Sequence, residues 1–359
     1  MGIETIKNHE LFTSQISSMP IFQELHNQYE TIRPFTGVKV AIAHVLVPNT
    51  VPLILSCAIG GAELLVTSYE GLSPNPRVVS LLQENGITVQ LDKTDVSEYD
   101  VAIDCGGFFA GNPPKYGVVE VTRSGILEYE KMLNRVIINV DSGKSKMLET
   151  FFGNPISVLN TLEHFFGDKE TYLKNKIVGI FGFGKIGKGN ARLFKQYCSV
   201  KVFDIDPKAI ELAKHLGYDT CLVEKDTKVP KEEITIDILI SATGFHGVIS
   251  QYFTKQDLDG VLLLNLGAVD EFGDDYNEDE VFKSKHYPFN FNSDPPTPNM
   301  FIDAILAAQV EGLRYLVTSK LKPGLYPIPK DIDDWAVESF SSLYDFDLID
   351  LKMYFPELN

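Results

Sequence analysis

Cysteine is scarce: four residues, Cys57, Cys105, Cys198 and Cys221, are scattered over 359 positions. None belongs to a C-x-x-C pair and no histidine pair stands at metal-ligand spacing, which excludes a disulfide framework and a zinc site and leaves a reducing, cytoplasmic setting with no metal. Cationic residues are also in deficit. Lys and Arg number 32 against 49 Asp and Glu, a formal charge of −17. No basic stripe offsets it, so nucleic acid and anionic lipid would be repelled. Long apolar runs are missing as well. None approaches the roughly eighteen residues of a membrane-spanning helix, and Met1 to Pro20 has no cationic stretch leading into an apolar one. With nucleic acid and membrane set aside, the expected partner is a small molecule.

What is present reads as an ordinary globular chain, 44% hydrophobic and 23% charged. Its length suits two domains of about 150 residues each, with a cleft between them. From Val38 the pattern alternates strand and helix: apolar, β-branched runs at Val38–Val45, Glu63–Ser68, Ile87–Leu91, Tyr99–Cys105, Gly117–Val121 and Arg135–Val140. A helical stretch at Gly143–Phe166 precedes a second series of strands at Lys176–Phe181, Val200–Asp204, Ile236–Ser241 and Val261–Leu266. Near-continuous apolar strands separated by amphipathic helices imply parallel sheets covered on both faces. The expected class is α/β, with two doubly wound parallel-sheet domains: residues 1–155 plus 293–330, and an inserted Rossmann domain at 156–292. Residues 331–359, acidic and aromatic (Trp335, Phe340, Tyr344, Phe346), form a tail suited to packing on a neighbour. A symmetric homodimer is the expected assembly.

The sharpest motif begins at Lys176, where an apolar strand runs into Gly182-Phe-Gly184-Lys185-Ile186-Gly187 and a helix. In that context G-x-G-x-x-G is a dinucleotide signature: the first glycine makes the turn, the second admits the pyrophosphate, and the third lets helix and strand close together. Asp204 ends the next strand, where a carboxylate accepts hydrogen bonds from the ribose hydroxyls and repels a 2′-phosphate, which favours NAD over NADP. The plainer alternative makes the glycines turn residues and Asp204 a cap for the helix at Pro207.

The residues around this motif resemble the S-adenosyl-L-homocysteine hydrolase family. Gly182-Phe-Gly-Lys-Ile-Gly-Lys-Gly189 is similar to its G-x-G-x-x-G-K-G, and Asp204-Ile205-Asp206-Pro207 to its x-I-D-P strand end. Ser241-Ala242-Thr243-Gly244 resembles T-T-T-G, Asn265-Leu266-Gly267 resembles N-I-G-H, and Asn139 to Lys146 resembles N-V-N-D-S-V-T-K-S-K. Upstream, Asp104-Cys105-Gly106-Gly107 resembles D-D-G-G, and Glu120-Val121-Thr122-Arg123-Ser124-Gly125 resembles E-E-T-T-T-G. The resemblance runs over about residues 36 to 312. It implies the family's fold and bound NAD, with cofactor contacts from Gly182, Gly184, Lys185, Ile186, Gly187, Asp204, Ile205, Ala242, Thr243, Gly244, Leu266, Gly267, Thr122, Arg123 and Ser124. The family's proton-handling positions, however, fall on Cys105, Val121 and Ala268, and an apparent one-residue insertion lies near Leu148. Only Lys144 is retained clearly among them.

Five residues are candidates for chemistry. Lys144 could take a hydroxyl proton, or be a solvated helix lysine beside Lys146. His246, after Thr243-Gly244 at a strand end, could be a general base or a loop histidine. Cys105 could offer a thiolate or fill space. Asp104 and Glu120 could orient Lys144 or cap turns. His44 and Asn49 line the substrate side or end a strand, and Asp270 and Glu271, after the Leu266-Gly267 turn, stand near where a nicotinamide ribose should lie or are ordinary acidic turn residues. Together these describe an NAD-dependent enzyme with a rebuilt substrate site, an oxidoreductase moving hydride to or from a small polar metabolite. The alternatives are an adenosylhomocysteinase-like hydrolase that keeps its NAD, and a catalytically silent NAD-binding regulatory protein.

Overall fold

The computed structural model describes residues 2–68, 72–92 and 95–356. Its strands, in chain order, are β1 (Lys39–His44), β2 (Glu63–Ser68), β3 (Thr88–Val89), β4 (Val101–Asp104), β5 (Gly117–Glu120), β6 (Val136–Asn139), β7 (Ile177–Phe181), β8 (Ser199–Asp204), β9 (Asp219–Leu222), β10 (Ile238–Ser241), β11 (Leu262–Asn265) and β12 (Gly324–Pro327). They form two parallel sheets in two compact units: Met1–Leu148 with Asn299–Ile349, and Glu149–Pro298 with Asp350–Asn359. The main stretch of the second unit, 149–298, is thus inserted in the sequence of the first, and the chain ends in the second. Among the described residues no helix is long and apolar enough to cross a membrane.

The first unit holds a seven-stranded sheet in the order β12-β6-β5-β4-β1-β2-β3. Its central strands are apolar on both faces, as the covered position requires: Val40, Ala41, Ile42 and Ala43 are fully buried, as are Val118 and Val119. Parallel register places His44 beside Ser68, and Asp104 beside Glu120, at the carboxyl edge. The helix Asn299–Thr318 returns the chain to this unit with most of its length buried.

The second unit holds five parallel strands in the order β11-β10-β7-β8-β9. Its core is aromatic. Phe181 packs at 5.7 Å and Phe203 at 5.9 Å from Phe253, ring centre to ring centre, both nearly edge-on.

The helical stretch before it is not uniform. An α-helical turn at Ser145–Met147 opens into a π-helix at Leu148–Gly153 and closes into the α-helix Asn154–Phe166. A π turn holds one residue more than an α turn, so the helix widens at Leu148–Gly153 without breaking.

The segment from Asp331 finds partners in its own chain. Helix Lys330–Tyr344 lies in the first unit, where Phe340 is buried against Phe301 and Phe346 at 6.0 and 5.2 Å. The next helix, Ile349–Tyr354, leads into the second unit. There Lys188 donates to the Tyr354 carbonyl at 2.8 Å, Arg192 pairs with Asp350 at 2.9 Å, and Tyr354 (tilted) and Phe355 (edge-on) pack against Phe151 at 5.1 and 5.3 Å between ring centres. Of the aromatic side chains read from sequence as a surface for a neighbour, Phe340, Tyr344 and Phe346 make ring contacts within the chain; residues 357–359 of that tail lie outside the described residues.

Candidate functional site

In the second unit, strand order reverses between β7 and β10, the point where open parallel sheets form a crevice at their carboxyl ends. Gly182 stands there with φ +97°, and a Cβ on it would lie 2.8 Å from the Ala242 carbonyl oxygen. Gly187 is tighter still: its Cβ would come within 1.8 Å of the Gly182 carbonyl oxygen, so the helix Lys185–Phe194 can sit this close only with glycine. Gly184 differs from both. Apart from its own chain neighbours, nothing among the described residues lies within 4 Å of its Cβ position, and no side chain caps the helix it begins. Open space in front of an uncapped helix N-terminus suits a phosphate group. Asp204 borders this space, accepting from the Phe183 amide at 2.6 Å and the Asp206 amide at 2.8 Å. Ile205, next in sequence, is 55% exposed, an apolar face on the same rim.

Across the crevice, Glu271 organises the end of β10. Its fully buried carboxylate accepts from Ser241 Oγ, the Thr243 amide at 2.9 Å, Thr243 Oγ1 at 2.9 Å and the Gly244 amide at 2.6 Å. Burial raises its pKa from the ordinary carboxylate value, while these donors pull the other way. Leu266 is buried behind the turn. Sequence reasoning passed over Glu271 as an acidic turn residue, because nothing local signals a contact with a strand thirty residues earlier. His246 and Phe245, on the loop after Gly244, are exposed.

In the first unit, Asp104 and Glu120 are both fully buried and brace the turn between them. Asp104 accepts from the amides of Cys105, Phe108 and Phe109 at 2.8 to 3.2 Å and from the Tyr129 hydroxyl. Glu120 accepts from the amides of Gly106, Gly107 and Thr122 and from Thr122 Oγ1. The turn-capping alternative describes this geometry. Burial raises both acids, and for Glu120 the charge of Asp104 adds to it. Cys105 is buried, and none of the four cysteines forms a disulfide. Thr122 caps the short helix Arg123–Tyr129 through the Gly125 amide; Ser124 donates to Thr122 Oγ1 at 3.3 Å and Arg123 is exposed.

Strand order in this sheet reverses between β1 and β4. At that edge His44 is 6% exposed and neither ring nitrogen makes a hydrogen bond; the Val45 backbone lies near the ring outside bonding geometry. Burial and the nearby Lys146 ammonium lower its pKa to about 4, so the imidazole is neutral near pH 7. Thr67 Oγ1 and Ser68 Oγ, on β2, are buried and have no partner among the described residues either. Buried polar atoms are ordinarily satisfied, so four such atoms on neighbouring strand ends need an account. Asn49 is buried nearby in sequence. Lys144, whose plainer alternative is a solvated helix lysine, is half-buried, and its neighbour Lys146 is 6% exposed. Among the described residues no group of three His, Cys, Asp or Glu could hold a metal.

No family model matches the chain. Comparison with curated proteins nonetheless finds relatives along most of its length. It is 24% identical to the S-inosyl-L-homocysteine hydrolase of Methanopyrus kandleri, over 89% of this chain and 86% of that protein. Its curated homologues are hydrolases of this kind and adenosylhomocysteinases. The adenosylhomocysteinase of Thermoplasma acidophilum is 25% identical over 89% of each chain, and that of Sulfurisphaera tokodaii 24% identical over 88% of this chain and 86% of its own. The chain is thus a divergent relative of the adenosylhomocysteinases. Among solved structures, a dipicolinate synthase chain from Bacillus halodurans superposes with a TM-score of 0.51 at 14% identity, covering 80% of this chain and all of that one, a likeness of fold.

Proposed function

We propose that the chain binds NAD in its second unit and is an oxidoreductase acting on a hydroxyl or amine of a small polar metabolite, which the first unit recognises. The observation that carries the proposal is the open position at Gly184, in front of an uncapped helix and beside Asp204. Gly184, Lys185 and Ile186 would offer backbone amides to the phosphates, Asp204 its carboxylate to the ribose hydroxyls, and Ile205 an apolar face to the base. Bound NAD supplies a hydride acceptor. Lys144 is the proposed acid/base, and neutral His44 brings one donor and one acceptor nitrogen to the metabolite together with the unspent hydroxyls of Thr67 and Ser68. A site kept for no ligand would not need four buried polar atoms without partners, which weighs against a catalytically silent protein. By fold analogy the protein acts as a cytoplasmic homodimer.

The curated relatives favour a second reading, a hydrolase cycle on a nucleoside thioether with NAD retained. Against it stand Cys105, Val121 and Ala268 where the resembling motifs carry proton-handling groups. The test denatures purified protein and assays released NAD+ and NADH, titrates the protein with NAD+, and screens alcohols and amines for NAD+ reduction. Reduction that Lys144→Ala abolishes supports the oxidoreductase. Condensation of adenosine or inosine with homocysteine, without net NAD+ reduction, supports the hydrolase instead. NAD+ binding with neither activity would leave only the regulatory protein, and failure to bind NAD+ would sink all three.

A further inference from the structure

Asp333 lies in the helix Lys330–Tyr344, nearly two hundred residues from Lys144, and is 7% exposed. Its Oδ2 accepts from the Lys144 amide at 2.8 Å, while Oδ1 accepts from the Ser145 amide at 3.0 Å and from Ser145 Oγ at 2.6 Å. The helical stretch starting at Ser145 has no side-chain cap of its own. A carboxylate at a helix start satisfies amides that have no partner within the helix and complements its positive end. Here that carboxylate arrives from a distant part of the chain, and Gly143 is shaped to receive it. A Cβ on Gly143 would stand 2.4 Å from Asp333 Oδ1, although the backbone there, φ −76° and ψ 159°, is open to any residue.

We propose that Asp333 is the positioning residue for Lys144: its buried carboxylate fixes the backbone of Lys144 and Ser145 and so sets where the Lys144 ammonium stands. This deepens the reading of Lys144 as the acid/base and rests on it. The bland alternative is a carboxylate that only stabilises the fold. The two differ in what happens when the carboxylate is kept but pushed. Gly143→Ala retains the charge and an allowed backbone yet displaces Asp333, so it should reproduce Asp333→Asn if position is what matters.

The experiment compares the whole wild-type protein with Asp333→Asn and Gly143→Ala. Each is treated with acetic anhydride at fixed pH, and acetylation of every lysine is read by peptide mass spectrometry, with exposed Lys208 and Lys225 as internal standards. Thermal denaturation and NAD+ titration accompany each variant. The expected result is at least a fivefold change in Lys144 labelling in both variants, unchanged Lys208 and Lys225, and NAD+ affinity within twofold of wild type. On the substrate found by the alcohol and amine panel, both variants should lower kcat about tenfold at constant KM. Folded variants that label Lys144 as wild type does would overturn the proposal. Should Asp333→Asn fail to fold, Gly143→Ala decides alone. If Lys144→Ala leaves turnover intact while the labelling still shifts, Asp333 does position Lys144 and the acid/base assignment is what fails.

Discussion

Gly267 lies against the Glu271 carboxylate, so closely that a Cβ on it would stand 2.2 Å from Oε1. The two residues come from the loop after β11, and the carboxylate reaches the end of β10 through Ser241, Thr243 and Gly244. One acid therefore ties two strand ends of the crevice together. Gly267→Ala should evict it, and overpacking of this kind costs about 1–3 kcal/mol. Thermal denaturation should show that loss and NAD+ calorimetry about a tenfold weaker affinity; a variant as stable and as tight as wild type would mean Glu271 yields without consequence.

Gly184 is expected to behave oppositely. Its Cβ position meets nothing in the protein and its φ of −78° suits alanine. Gly184→Ala should melt with the wild type yet bind NAD+ at least tenfold more weakly, since only a ligand would collide with the added methyl. Unchanged affinity would move the phosphates elsewhere.

Asp204 should set the choice of cofactor. Hydrogen bonds to a charged group contribute roughly 1.5–3 kcal/mol, so Asp204→Ala should lower NAD+ affinity about ten- to a hundredfold and narrow the preference over NADP+. Because the carboxylate also accepts from the Phe183 amide, Asp204→Asn is the companion variant. It keeps an acceptor for the turn and should weaken the preference over NADP+ with a smaller loss of stability.

The buried acids of the first unit predict a pH dependence. Glu120 is raised by burial, and by the charge of Asp104, to about 7. From the ordinary carboxylate range up to that value the folded chain holds a proton that the unfolded chain has released. Its contribution to stability is therefore full at low pH and is lost as pH rises through about 7. His26 and His44, lowered to about 4, act in the opposite sense, adding stability as pH rises towards the ordinary histidine range. The clean quantity is accordingly the difference between wild type and Glu120→Gln in denaturant unfolding. It should shift against wild type by roughly 1 kcal/mol or more between pH 5 and pH 8, and a flat difference would mean Glu120 titrates normally.

Much of the architecture is legible from local pattern. Runs such as Val38–Val45 and Glu63–Ser68 have the continuous apolar character of strands covered on both faces, and the structure places β1 and β2 there. Two strands gave no such signal. β12, Gly324–Pro327, carries proline and glycine and survives as an edge strand, where a missing amide is tolerated. β9, Asp219–Leu222, opens on the polar pair Asp219 and Thr220 and buries only Cys221, because it too lies at an edge. Site residues divide in a similar way. The glycines and Asp204 announce themselves because their job is local, a turn and the strand beside it. Glu271 and Asp333 act on segments about thirty and nearly two hundred residues away, and the unpartnered Thr67 and Ser68 hydroxyls are defined only by what fails to reach them.

The inserted arrangement also fixes the order in which the parts leave the ribosome. All five strands of the inner sheet have been synthesised by Asn265, whereas the outer sheet lacks β12 until Pro327, and the helix Asn299–Thr318 that fills its core comes only shortly before. The nascent chain therefore carries a finished inner sheet while the N-terminal strands, made first, still wait for their last neighbour.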